Sequence, residues 1–333
     1  MTDRRALPSI AAAVVVAVVV ACAFSHASAQ ARESMPRVGM LTPAPSAAAK
    51  PRWDAFREAM KELGHVEGKS VVYEYRSAEG QFDRLPQLAA DLVKIPVKVM
   101  VVANTPGNLA AKKATTTIPI VMVAVGNPVR VGLVSNLGRP GGNITGFTNL
   151  TGQITAKRLQ LLKEMIPTAT RIGAIGNPGD PNALIQIQDA EAAARELKVQ
   201  LRVFTVKEAA QLEPAFEAAK VWRAQALMRL ADPFLTTLRA RTIELAARTR
   251  MPVMYTMRAD VEEGGLIGYG VDNLETYKRA AGYVDRILKG AKPGELPVQQ
   301  PTKLDHAVNM KTAAALNIKI PHAILVQAAQ VIQ

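Results

Sequence analysis

The chain has 333 residues, 21% of them charged, and a net charge of +13 from 41 Lys and Arg against 28 Asp and Glu. The basic residues are scattered and aromatics make up only 5% of the chain, so neither cation runs nor stacking platforms are present and no nucleic-acid partner is expected. The single cysteine, Cys22, excludes an internal disulfide, so the fold must rest on its core. A chain of about 300 residues buries roughly three quarters of its unfolded surface, which suffices, and it divides naturally into two domains of about 150 residues.

The N-terminus comes first. Arg4 and Arg5 precede an uncharged apolar run from Ile10 to Phe24, and Ala27-Ser28-Ala29 then places small residues where a signal peptidase reads. This three-part pattern marks residues 1–29 as an export signal. The run of about 15 residues falls short of the ~20 that a membrane-spanning helix needs. Cys22, behind Val19-Val20-Ala21, also resembles a bacterial lipoprotein cleavage box. Two mature forms therefore stand, a free chain starting at Gln30 and a chain lipidated at Cys22. Both place the protein in the periplasm.

From Arg37 the sequence alternates β-branched runs with amphipathic runs. Strands are predicted at Arg37 to Leu41, Val71 to Tyr75, Val97 to Val102 and Ile118 to Val123. Between them, Trp53, Phe56, Met60 and Leu63 recur at helical spacing, followed by helices at Phe82 to Val93 and Leu109 to Ala114. A glycine-rich stretch from Gly126 to Phe147 reads as an inter-lobe loop whose glycines supply positive φ. The rhythm then restarts, with helix Gln153 to Ile166 before strand Arg171 to Ile175. Helices Pro181 to Leu197, Glu208 to Val221 and Pro233 to Arg250 follow, alternating with strands Gln200 to Val206, Ala226 to Leu230 and Val253 to Tyr255. Strand Leu266 to Val271, helix Leu274 to Lys289, strand Asp305 to Asn309 and helix Thr312 to Leu316 close the chain. This grammar predicts an α/β fold of two Rossmann-like, doubly wound lobes. The lone helix after a complete second unit suggests a return to the first lobe, hence a multi-crossover hinge. The first lobe is expected to take residues 36–148 plus about 272–300, and the second 149–271 plus about 301–333.

Open α/β sheets bind ligands at the carboxyl ends of their strands. Those ends deliver Thr42, Asn104, Thr105, Gly126 and Asn127 in the first half, and Asn177, Asp180, Asp232 and Tyr255 in the second. Amide, hydroxyl and backbone N–H groups suit a small polar solute, and Asp180 or Asp232 suits its amine. The same residue types also serve as turn and cap residues. Catalytic patterns are absent from the sequence. The histidines His26, His65, His306 and His322 lie far apart, and Glu262 and Glu263 are adjacent rather than convergent. There is no P-loop, no Gly-x-Ser-x-Gly elbow and no metal-ligand spacing, so no cofactor or metal is expected.

Three ordered blocks carry a family resemblance. They are Val131-Gly132-Leu133-Val134-Ser135-Asn136-Leu137-Gly138-Arg139-Pro140-Gly141-Gly142-Asn143-Ile144-Thr145-Gly146; Gly264-Gly265-Leu266-Ile267-Gly268-Tyr269-Gly270 with Tyr277-Lys278-Arg279-Ala280-Ala281; and Leu296 to Lys303 with Asn309 to Ala313. The chain resembles a family of ABC-transporter substrate-binding proteins that includes tryptophan- and tyrosine-type binders. The resemblance implies a type I periplasmic-binding fold with three crossovers, closing on a small polar solute such as an amino acid or a related molecule. It also implies a monomer that delivers the solute to a membrane permease with its own cytoplasmic ATPase, and no enzymatic activity. The loop Asn104-Thr105-Pro106 and the segment Arg229-Leu230-Ala231-Asp232 depart from the family's regularity, so an amino-acid specificity does not follow from the resemblance alone. The alternative reading is an exported enzyme on the same scaffold, with Asp180 and Asp232 as an acid–base pair across the cleft. A third reading, the sensing domain of a transcriptional regulator, is opposed by the export signal.

Overall fold

Each half of the chain builds one sheet with helices on both faces. The structure, a computed structural model, describes residues 35–333. The export-signal and Cys22 expectations fall outside the described residues. Among those described, no helix is long and apolar enough to cross a membrane.

The first half supplies β1 (Arg37–Thr42), α1 (Ser46–Glu62), β2 (Val72–Ser77), α2 (Leu85–Lys94), β3 (Val97–Ala103), α3 (Asn104–Ala114), β4 (Ile120–Val125) and β5 (Ile144–Thr148). Its five strands are parallel in the order β2-β1-β3-β4-β5. The second half supplies α4 (Thr151–Met165), β6 (Arg171–Gly176), α5 (Pro181–Glu196), β7 (Gln200–Thr205), α6 (Leu212–Val221) and β8 (Ala226–Arg229). It continues with α7 (Pro233–Thr237), α8 (Arg239–Thr249), β9 (Val253–Tyr255), α9 (Arg258–Glu262) and β10 (Ile267–Val271). After α10 (Asn273–Leu288) come β11 (Leu304–Asn309), α11 (Met310–Ala315), α12 (His322–Gln327) and β12 (Gln330–Ile332). The second sheet runs β12-β11-β10-β9-β8-β6-β7, with β11 antiparallel to β10.

Continuous apolar runs are what a sheet buried on both faces requires. Along β3, Val99 and Val101 join one core with Trp53 and Phe56 of α1, while Met100 and Val102 join another with Leu85 and Leu92 of α2. The same alternation divides the second sheet. Ile172 and Ala174 face α4 and α5, and Ile175 packs with Phe216 and Leu245 of α6 and α8. Helix α10 returns to the first sheet, where Tyr277, Ala281 and Val284 share the core of Val38 and Trp53. The chain therefore passes between the layers three times, at Thr148–Thr151, Val271–Asn273 and Gln299–Leu304. These passages touch one another. Thr148 N donates to Gln299 O at 2.9 Å, and Asn149 Nδ2 donates to Asn273 Oδ1 at 3.3 Å.

Two expectations are corrected. The stretch from Gly126 to Phe147 is not the inter-lobe connection: it ends in β5, the edge of the first sheet, and the crossing follows. Gly146 lies at φ 130°, and a Cβ there would fall 2.2 Å from Met122 O, so the glycine lets β5 approach β4. The predicted helix from Pro233 to Arg250 is two helices, because α7 ends at Leu238 in a non-helical turn before α8 begins.

Candidate functional site

The carboxyl ends of the two sheets face each other across one cavity. The interior open to the centre of a water molecule is about 90 Å³, the scale of a small solute rather than a polymer. From the first layer, α1 contributes Arg52, α3 contributes Asn104 and Thr105, and the end of β4 contributes Ala124 and Gly126. From the second, α4 contributes Thr151 and Arg158, α5 brings Asp180 and Asn182, and the β8–α7 turn brings Asp232. The passages add Asn149 and Asn273, and α10 adds Tyr277.

Of the nine residues expected at the site, Asn104, Thr105, Gly126, Asp180 and Asp232 line this cavity. Asn104 sits at φ 58°, opening α3, with its carbonyl accepting from Asn108 Nδ2 at 2.9 Å. Thr105 Oγ1 accepts from Gly126 N at 3.3 Å, joining two of the cavity-lining turns. The other four residues have different roles. Thr42 is buried and its hydroxyl accepts from Ala44 N at 3.2 Å, closing the turn after β1. Asn127 points away, its Oδ1 accepting from Arg130 N at 3.1 Å. Asn177 lies behind the wall and donates through Nδ2 to Asp232 Oδ2 at 3.2 Å. Tyr255 is buried in the second layer's core beneath the Arg229 guanidinium, 5.5 Å from its ring centroid.

Arg158 is the feature that strand-end reasoning misses, because it comes from the middle of α4. It is 3% exposed; Nε donates to Tyr269 O at 2.6 Å, while Nη1 is buried without a partner among the described residues. Burial, and then the charge of Arg229, press against its charged form. An anionic group in the cavity would relieve both effects. The backbone allows this approach at Gly270, where a Cβ would fall 2.0 Å from Thr256 O and 3.2 Å from Arg158 Nη2. Asn149, which also lines the cavity, has its Oδ1 buried without a partner among the described residues, a free acceptor in the wall.

Asp180 and Asp232 supply the opposite sign. Asp180 caps α5, accepting from Asn182 N at 2.9 Å, and Asp232 caps α7, accepting from Leu235 N at 2.6 Å. Burial raises the pKa of both carboxyls, and the charge of Asp232 raises that of Asp180 further. Behind them lies a closed ion pair. Arg229 Nη2 bonds Asp260 Oδ2 at 2.7 Å and Thr256 Oγ1 at 3.1 Å, with both charged residues at most 1% exposed. The cavity thus offers an unsatisfied cationic donor and two carboxyls that, among the described residues, accept hydrogen bonds but pair with no cation, the means to hold a small molecule that carries both charges.

Comparison with known proteins identifies the family and the fold. A family model described as ABC transporter substrate binding protein matches residues 38–332. The tyrosine-binding protein of Clostridioides difficile (strain R20291) is 25% identical over 264 residues, covering 79% of this chain and 76% of that protein. A conserved domain protein from Vibrio cholerae O1 biovar El Tor superposes with a TM-score of 0.84 at 29% identity, covering 90% of this chain and 100% of that one. An ABC domain from Streptococcus pneumoniae, solved in complex with L-Trp, gives a TM-score of 0.83 at 23% identity with the same coverage.

Proposed function

The chain belongs to the ABC transporter substrate-binding protein family, and we propose that it captures a small polar solute in the inter-lobe cleft and delivers it for import. The observation that carries this reading is the cavity walled by both sheets, lined by Arg158, whose Nη1 is buried without a partner among the described residues, and by the Asp180 and Asp232 carboxyls, which accept only from backbone N–H groups and the Asn177 amide. A solute with a carboxylate and a protonated amine satisfies all of them, and an amino acid or a close relative is that kind of molecule. The names of the tyrosine-binding relative and of the L-Trp complex support the same class. Closure of two lobes on the solute shields these polar contacts from water and shifts the open–closed population. The protein then acts in the periplasm, as a monomer, handing its solute to a membrane permease driven by a cytoplasmic ATPase.

A thermal-shift screen against amino acids, small carboxylates and nucleosides tests the proposal, because a bound solute raises the melting temperature by mass action. A rise with an amine-bearing carboxylate is expected. No rise with any solute, together with turnover of one, would favour the second reading, an exported enzyme. That reading draws its support from Asp180 and Asp232 facing the same cavity.

A further inference from the structure

Asp180 and Asp232 are 2% and 4% exposed, and their surroundings fix them tightly. Asn177 spans the pair: its carbonyl accepts from Asp180 N at 3.1 Å and its Nδ2 donates to Asp232 Oδ2 at 3.2 Å. Gln186, fully buried on α5, pairs both its amide atoms with the Ala231 peptide at 2.8 Å each. That clamp joins the turn carrying Asp232 to the helix that Asp180 caps. The donors reaching the two carboxylates are backbone N–H groups and the Asn177 amide. Arg229, whose charge acts on Asp232, is already bonded to Asp260 at 2.7 Å. Arg158 and Arg52 line the same cavity, and Arg158 directs Nε to Tyr269 O.

Two buried carboxylates on one rigid platform, with no paired cation among the described residues, resist ionising together. We propose that this pair holds one proton before a solute docks and releases it to solvent when the solute's protonated amine takes its place. The inference rests on the amine-bearing solute of the preceding reading. The exchange balances simply: ammonium N–H groups bond to the carboxylate oxygens, the carboxyl O–H bond breaks, and its proton passes to water. Capture then strengthens with rising pH, by up to about tenfold per unit while the free pair is protonated and the bound pair is not. A binding protein exposed to the outside medium would take up less of its solute in acid.

Calorimetry at neutral pH, in two buffers of different ionisation enthalpy, counts the protons released on binding L-tyrosine, L-tryptophan, L-leucine and L-lysine. The expected result is release approaching one proton per amine bound. It should be lost in Asp180→Asn, which keeps the helix cap, along with at least tenfold in affinity. In parallel, carboxyl carbon-13 NMR of the ligand-free, aspartate-labelled protein should show a titration step well above the usual aspartate range that Asp180→Asn removes. Amine binding without proton release overturns the proposal, as does every aspartate titrating in the ordinary range. A pair that titrates high while none of the four amino acids binds, but the amine-free probe succinate does, overturns proton displacement and leaves the transport reading standing. Failure of every solute to bind overturns both.

Discussion

Gly126, at the end of β4, lies against Asn182, at the start of α5, so closely that a Cβ on Gly126 would fall 1.9 Å from Asn182 Oδ1 and 2.4 Å from Thr151 Oγ1. One residue belongs to the first layer and the others to the second. A bare α-carbon at this seam is what lets the two walls of the cavity meet.

Gly126→Ala is therefore expected to hold the walls apart without unfolding either layer. The backbone there does not need positive φ, so the effect is purely steric. Solute affinity should fall at least about tenfold, a loss of ~1.4 kcal/mol, while the circular dichroism spectrum stays unchanged. Adding Asn182→Ala and Thr151→Ala should recover much of the closure, read as the compaction seen by small-angle scattering on solute addition.

Arg158→Met keeps the length of the side chain and removes the unpartnered guanidinium nitrogen. Truncating one partner of a buried charge pair costs about 2–5 kcal/mol of binding, so carboxylate-bearing solutes should lose at least thirtyfold in affinity. Stability should stay level or rise, because a buried charge without a counter-ion is replaced by an apolar chain. A variant that melts far below the parent would contradict this assignment.

The acid pair gives a pH-dependent contrast whose sign is fixed. Both carboxyls titrate higher in the folded protein than in the unfolded chain. Their contribution is thus fully present below the unfolded value and fades as pH rises through the folded values. Asp180→Asn does not ionise, so its melting temperature should match the parent near pH 4. It should exceed the parent's near pH 8 by an amount on the order of 2 kcal/mol in stability. A variant gaining stability in acid instead would reverse the sign and refute it.

Asp260→Ala leaves Arg229 buried and unpaired. Loss of one partner from a buried pair costs about 3–5 kcal/mol, visible as a lower denaturation midpoint. Arg229→Met with Asp260→Leu should restore most of it. Because Arg229 also bonds Thr256, which lines the cavity, the single variant should weaken solute binding as well.

Much of this was legible in the sequence, and the gaps have physical causes. Continuous apolar strands and 3.6-spaced helices announced both layers, and the lone helix from Leu274 to Lys289 announced the return that α10 makes. Strand-end reasoning reached Asn104, Thr105, Gly126, Asp180 and Asp232. It could not separate them from Thr42, Asn127, Asn177 and Tyr255, because a residue at the end of a strand can turn toward the cavity or close the turn behind it. Arg158 gave no signal, since its place in the middle of a helix looks like a solvated face until α4 is docked on β10. The strand β5 hid inside a glycine-rich run because Gly146 is needed for close approach rather than for a turn.

The most direct test is calorimetric titration of the parent and Arg158→Met with one amine-bearing carboxylate that raises the parent's melting temperature. One solute per chain is expected for the parent, and at least a thirtyfold weaker titration for the variant. Equal affinity in the two would place the solute outside the cleft and rule out Arg158 as its anchor.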